Sequence, residues 1–202
     1  MRLEREKKAI ETLKDSFLQD GACLISDKYL FLAADQWKTM NYKVGRLAYE
    51  KHFQTKFSPH SFKSFPIRKH RIETTTDEVI FDVVNSIQMR SLVKSILSFS
   101  HFKVQRCECH IYEEGDFISL EWMKKFIKNA SHLLTITLES EYEGGEHLVY
   151  NKAQEKKAFH PQPAEILLSS CDFDHEMLPL ISGYKNTVLA SLRPLYPASL
   201  TK

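Results

Sequence analysis

A histidine and a lysine stand ten residues apart in the segment DHEMLPLISGYK, which runs from Asp174 to Lys185. A neutral imidazole is a common metal ligand, and a buried ammonium group is a natural partner for a carboxylate. Taken alone, His175 is typical of a loop histidine, and Lys185 of a strand lysine whose charged end reaches solvent. What these two residues do therefore depends on the elements that position them.

The segment VQRCECHIY has a strict two-residue alternation, which is typical of a β-strand. We expect its apolar face to pack on a helix and its polar face to line an interior. A polar interior in a small barrel is costly unless it binds something. The polar face would carry Arg106, Glu108, His110 and Tyr112.

Helices are predicted at 3–19, 29–52 and 77–99, and six or more short strands joined by glycine turns follow from residue 101. This order predicts a single domain over 1–202 of the α+β class with a mainly β core. Residues 101–195 would form an antiparallel barrel or jelly roll, and residues 1–100 a helical region packed outside it. Residues 117–122 (FISLEW) are expected to be extended, and His132 and His147 to be surface strand residues.

Composition limits the partners. The chain has 28 basic and 26 acidic residues, so its charge does not indicate a nucleic-acid partner, and no apolar run is long enough for a membrane span. The four cysteines have neither a disulfide nor a zinc spacing, which favours reduced thiols and a cytoplasmic protein. The irregular, basic segment 52–76 is a candidate for substrate contact, and its charge would favour an acidic small molecule or an anionic polymer.

Four segments, in order, resemble the 2-oxoglutarate and iron(II)-dependent oxygenases, in the branch that includes the prolyl 4-hydroxylases: HIYEEGDFISLEW, HLLTITLESEYEGGEHLVY, AEILLSS and DHEMLPLISGYKNTVLASL. The resemblance covers residues 101–195 and implies a double-stranded β-helix, or jelly roll. His175 matches the distal iron-binding histidine of that family. Lys185 stands where the family places a basic residue that pairs with the far carboxylate of 2-oxoglutarate, and Tyr112 matches a tyrosine that hydrogen-bonds the same carboxylate.

The sequence departs from the family pattern at Glu121-Trp122-Met123, where the family has a His-x-Asp pair that completes an iron-binding triad. In a first reading, Glu121 lies on an interior strand face and converges with His110 and His175 on one metal ion. In a second, the fold persists without iron as a binding module. In a third, the alignment is shifted and Asp116 or Asp174 supplies the acidic ligand.

The resemblance implies a hydroxylase that uses Fe(II) and 2-oxoglutarate, and that oxidises 2-oxoglutarate to succinate and CO2. Its substrate would be an unknown small molecule or protein. The alternative is a catalytically inactive jelly-roll module that retains an anion pocket around Lys185 but binds no iron.

Overall fold

The computed structural model of the protein describes residues 2–26, 37–42, 44, 72–73, 78–97, 99, 101–151 and 155–195. Most of the predicted helix 29–52 and of the basic segment 52–76 lies outside these residues. The described parts of that helix, at 37–42 and 44, are helical. None of the helices described is long and apolar enough to cross a membrane.

Four helices have defined bounds: α1 Arg2–Asp20, α2 Glu78–Val84, α3 Ile87–Leu97 and α4 Leu120–Phe126. The prediction of α1 is confirmed, and Gly21 ends this helix with φ +70 and a hydrogen bond from its N–H to the Phe17 carbonyl. The single helix predicted at 77–99 is two helices, α2 and α3. The break falls at Asn85–Ser86 because the Ser86 hydroxyl accepts from the Met89 N–H and so starts a new helix.

Ten strands are described: β1 Ala22–Ile25, β2 Ile72–Glu73, β3 Phe102–Glu113, β4 His132–Thr137, β5 Glu141–Gly144, β6 His147–Tyr150, β7 Lys156–Phe159, β8 Ile166–Ser170, β9 Asp174–Met177 and β10 Leu180–Pro194. A large antiparallel sheet has the order β1-β8-β4-β10-β3-β2, with β5 also paired to β10. A second sheet has the order β7-β6-β9. This is the mainly β, jelly-roll architecture that the sequence predicts.

Each face of the large sheet has its own core. On the outer face, residues of the helices such as Val83 and Val93 pack against strand residues such as Cys109 and Val188. The inner face meets the second sheet, where Leu189 packs with Met177. The predicted alternation of β3 is therefore confirmed: its apolar face supports the helices, and its polar face points into the barrel.

The inner face of the large sheet can be followed through its register. On β10, the inward positions are Lys185, Thr187, Leu189 and Ser191, and each pairs with an inward position of a neighbouring strand. The residues that pair with them are Tyr112, His110, Glu108 and Arg106 on β3, and Thr137, Thr135 and Leu133 on β4. The barrel thus has one wall rich in polar groups, with Lys185 and Tyr112 in the same row.

Candidate functional site

Lys185 is the cation at the centre of the candidate site, and its side chain is fully buried (0% exposed). Its Nζ donates to the Gly145 carbonyl at 2.9 Å and lies 4.5 Å from the centroid of the Tyr142 ring. Burial lowers the pKa of Lys185 to about 7, and the Glu146 carboxylate opposes that shift. One carbonyl and one aromatic face satisfy only part of an ammonium group that has three donors. The group therefore retains capacity for an anionic acceptor.

His175 lies on β9 and faces the interior, where it is 4% exposed. Its Nε2 is 2.6 Å from the Ser170 carbonyl oxygen. A carbonyl only accepts, so Nε2 carries the proton in the neutral ring and the lone pair lies on Nδ1. Burial lowers the pKa of His175, which keeps the ring neutral near pH 7. The part of His175 that can bind a further group is thus Nδ1.

His147 is a buried interior residue, and the expectation that it lies at the surface is wrong. It opens β6 two residues after Gly145, and its side chain is 4% exposed. The Nε2 atom of His147 has no hydrogen-bond partner among the described residues. Burial lowers the pKa of His147 well below its usual value, and the nearby charges of Lys185 and His175 act in the same direction. His132, the other histidine expected at the surface, is half-buried.

Three side chains of β3 form a buried hydrogen-bonded chain along one face. The Tyr112 hydroxyl is 2.9 Å from Nδ1 of His110, and Nε2 of His110 is 3.2 Å from the Glu108 carboxylate. Because the carboxylate needs a donor, Nε2 is protonated in neutral His110, and the tyrosine donates to Nδ1. Arg106, which is about one-third exposed, lies 3.5 Å from the same carboxylate and links the chain to the surface.

This chain bears on two predicted site residues. Both ring nitrogens of His110 already have hydrogen-bond partners, so neither presents a lone pair to a metal. The hydroxyl of Tyr112 is buried and its proton is directed at His110, and burial raises the pKa of Tyr112. Its predicted contact with a cosubstrate carboxylate stays a prediction, and the tyrosine would make it as a donor only after its proton turned away from His110.

The segment that carries Glu121 is a helix, so the prediction of an extended FISLEW is wrong from Leu120 onward. Ser119 caps α4 by accepting from the Trp122 N–H at 3.3 Å, and this cap turns the chain into a helix. Glu121 then points to solvent with its side chain 80% exposed and pairs with Lys125 at 2.7 Å, which lowers the pKa of the glutamate. The structure does not bring Glu121 together with His110 and His175.

Met123 and Phe126 project from α4 in the opposite direction and fill the interior. Both are buried, and they pack in one cluster with Tyr112, Met177 and Leu189. Apolar side chains therefore stand between the two walls of the barrel, at the level where the resemblance implies a histidine and an aspartate.

The two alternative acidic residues have structural partners. Asp116 is buried and accepts from the Glu113 N–H at 2.9 Å, which closes the turn after β3. Asp174 is about one-third exposed and forms an ion pair with Lys124 at 3.0 Å. Within the described residues, no three His, Cys, Asp or Glu side chains are grouped closely enough to hold a metal ion.

Several buried hydroxyls of the polar wall also lack partners among the described residues. They are the side-chain oxygens of Thr135, Thr137, Ser169 and Ser191. Buried polar atoms of folded proteins are nearly always hydrogen-bonded, so a run of exceptions on one wall calls for an explanation. Bound water or a bound polar ligand in the barrel would supply the missing partners.

No family model and no curated protein matches the sequence. Solved structures do match the fold. An oxidoreductase of the 2OG-Fe(II) oxygenase family from Burkholderia pseudomallei is 12% identical, with a TM-score of 0.66 over 91% of this chain and 89% of that one. A prolyl-4-hydroxylase from Pseudomonas putida is 16% identical, with a TM-score of 0.61 over 93% of this chain and 100% of that one. EctD from S. alaskensis, solved with 2-oxoglutarate and 5-hydroxyectoine, is 10% identical, with a TM-score of 0.65 over 90% of this chain and 75% of that one.

The fold is thus the jelly roll of the 2OG-Fe(II) oxygenases, and the superfamily resemblance seen in the sequence is confirmed at the level of fold. The donor set differs from what non-haem iron(II) requires, namely two histidines and a carboxylate on one face. Of the described residues, His175 and His147 are interior histidines that each retain a ring nitrogen able to bind a metal, but no carboxylate is grouped with them to complete an iron site. The described residues do not fit iron, whereas the buried ammonium group of Lys185 offers donors that suit an anion.

Proposed function

We propose that this chain is a 2-oxoglutarate oxygenase-like protein whose barrel binds 2-oxoglutarate or a closely related small acid through Lys185. The observation that carries the proposal is the burial of that ammonium group. Among the described residues no carboxylate forms an ion pair with it, and a carbonyl is its hydrogen-bond partner. A buried cation without a counter-ion is unfavourable, and a carboxylate ligand would remove that cost through a charge-assisted hydrogen bond.

The activity that the fold favours is hydroxylation of a small molecule or a protein, driven by oxidative decarboxylation of 2-oxoglutarate. This proposal draws on structural neighbours that are 2OG-Fe(II) oxygenases, and on EctD, which was solved with 2-oxoglutarate. When bound, iron would supply the activation of oxygen. Because the described residues do not fit iron, an iron site would require ligands beyond the described residues.

A second candidate is a non-catalytic jelly-roll module that binds the acid without iron. The specific observations that favour it are the outward position of Glu121 and the burial of Met123 in an apolar cluster. Its partner would again be a small anion. For either candidate we propose a cytoplasmic location, because all four cysteines are free thiols.

Binding of 2-oxoglutarate to the full chain tests the proposal. Isothermal titration should show saturable binding by the wild type and its loss in Lys185→Met, which keeps the length of the side chain and removes its charge. Lys125→Met is the matched control, because Lys125 is 72% exposed on α4 and its loss should leave the affinity unchanged. Absence of binding by the wild type, or equal binding by Lys185→Met, would refute the proposal.

Two further readouts distinguish the candidates. The chain is loaded anaerobically with iron(II) and 2-oxoglutarate, inspected for a weak visible charge-transfer band, and then exposed to oxygen while succinate is measured. A band together with succinate supports the hydroxylase. Binding of 2-oxoglutarate with neither signal, at saturating iron, supports the iron-free module.

A further inference from the structure

His147 is an interior residue whose polar side chain is not satisfied by the residues packed around it. Its strand neighbours are Phe159 and Met177, whose side chains offer no acceptor stronger than a thioether sulfur. The Nε2 atom is buried and unpartnered within the described residues. A buried polar group without a partner costs free energy, so its presence in the barrel indicates a ligand that supplies a hydrogen-bond partner.

The surroundings of His147 indicate the charge of that ligand. Lys185 donates to the Gly145 carbonyl two residues before His147, which brings the ammonium group next to the start of β6. His175 and His160 also lie within electrostatic reach of His147. Glu146 is an acidic group in this neighbourhood, but its side chain is about one-third exposed. Its Oε1 atom lies 4.0 Å from Nδ1 of His160. The interior end of the site therefore combines the Lys185 ammonium group with the neutral imidazoles of His147 and His175.

We propose that His147 and Lys185 together hold one carboxylate group of a small acid, with the Lys185 ammonium and the Nε2–H of His147 donating to it, and that they do so without a metal ion. This inference rests on the proposed function, because it places a second contact on the anion that Lys185 binds. A neutral imidazole and one ammonium group carry a single positive charge, which matches one carboxylate. An inorganic phosphate dianion places both of its charges on one group and so exceeds the charge of this donor pair, whereas the two charges of a dicarboxylic acid lie on separate carboxylates.

The arrangement makes a prediction about the 2-oxo group of the ligand. A metal ion would chelate the ligand through this 2-oxo group, so binding at an iron site would depend on the 2-oxo group. The two donors proposed here contact only a carboxylate. Glutarate, which lacks the 2-oxo group, should therefore bind the EDTA-treated chain within about threefold of 2-oxoglutarate, a difference smaller than that of one lost hydrogen bond.

The test uses the full chain in EDTA and isothermal titration with 2-oxoglutarate, glutarate and inorganic phosphate. His147→Leu should raise the Kd for both acids roughly 10- to 100-fold, the range expected when a hydrogen bond to a charged group is lost. His147→Gln keeps a side-chain N–H donor and should recover part of the affinity. His101→Leu removes an exposed histidine and is the matched control. The melting temperature of His147→Leu should not fall, because an unpartnered polar atom is replaced by an apolar side chain.

The outcomes separate this inference from the proposed function. If Lys185→Met abolishes binding while His147→Leu and His147→Gln bind like the wild type, the role of His147 is refuted and the anion pocket stands. If phosphate binds more tightly than glutarate, or if the acids bind only after a metal is added, the metal-free carboxylate site is refuted. If the wild type binds none of the three anions, the proposed function fails and this inference fails with it.

Discussion

Lys185→Met should make the ligand-free protein more stable, and the gain should depend on pH. Burial lowers the pKa of this lysine from 10.5 to about 7. The unfolded chain therefore binds a proton at Lys185 between pH 7 and 10.5 that the folded chain does not bind. Because the unfolded state binds more protons in this window, the stability of the wild type rises with pH.

The magnitude follows from the two pKa values. At pH 7, protonation of Lys185 in the unfolded chain lowers the free energy of unfolding by about 4 kcal/mol, as an upper bound, relative to a side chain that does not titrate. About 2 kcal/mol of this loss is regained between pH 7 and pH 9. Methionine at this position has no proton to bind, so the variant should lack both the cost and that part of the pH dependence.

Urea denaturation at pH 7 and pH 9, in buffers free of carboxylic acids, measures the effect. The free energy of unfolding of the wild type should rise between the two pH values by about 2 kcal/mol more than that of Lys185→Met. Other titrating groups, including the cysteines, contribute equally to both proteins and cancel in this difference. An identical pH dependence of wild type and variant would refute the account of Lys185 as a buried amine without a counter-ion.

Three further predictions concern the walls of the barrel. Gly183→Ala should destabilise the fold by more than about 2 kcal/mol in urea denaturation, because Gly183 has φ +82 and an added Cβ would lie 1.9 Å from the Glu141 carbonyl oxygen; a loss under about 0.5 kcal/mol would contradict this. Tyr112→Phe should cost roughly 1–2 kcal/mol by the same assay, because Nδ1 of His110 loses its donor, and unchanged stability would argue against the hydrogen-bonded chain. Met123→Asp should cost about 3 kcal/mol or more without increasing the iron bound in equilibrium dialysis, because the new carboxylate would be buried among apolar side chains; tighter iron binding by this variant would show that the position still faces a metal site.

The sequence predicted the elements that have a strong local pattern. The alternation in β3 placed Glu108, His110 and Tyr112 on one face, and that face is the interior wall. The helix predicted at 3–19, which ends before Gly21, agrees with α1 to within a residue at each end. Both faces of β3 are buried, but one is apolar and the other polar, so the alternation of side-chain types still reports on the fold.

The errors have physical causes. The prediction of FISLEW as extended overlooked Ser119 as a helix cap, and the cap turned Glu121 outward. His147 was missed because both faces of β6 are buried, so alternation along EHLVY does not distinguish interior from surface. Its place beside Lys185 depends on how the two sheets close, so spacing along the chain did not reveal it.

Partners across the barrel could not be predicted from spacing along the chain. Lys185 and Gly145 are 40 residues apart, and their hydrogen bond depends on how the two sheets close. The partners of Asp174 and Asp116 likewise emerged only from the folded chain, in which Lys124 pairs with the first and the Glu113 N–H donates to the second.

The central claim is that the barrel binds a small acid at Lys185, and a crystal structure of the full chain grown with 2-oxoglutarate in EDTA tests it most directly. We expect a carboxylate of the ligand within hydrogen-bond distance of Nζ of Lys185, with Nε2 of His147 donating to the same group. A ligand bound elsewhere, or a barrel in which Lys185 keeps only its bond to the Gly145 carbonyl at saturating ligand, would contradict the claim.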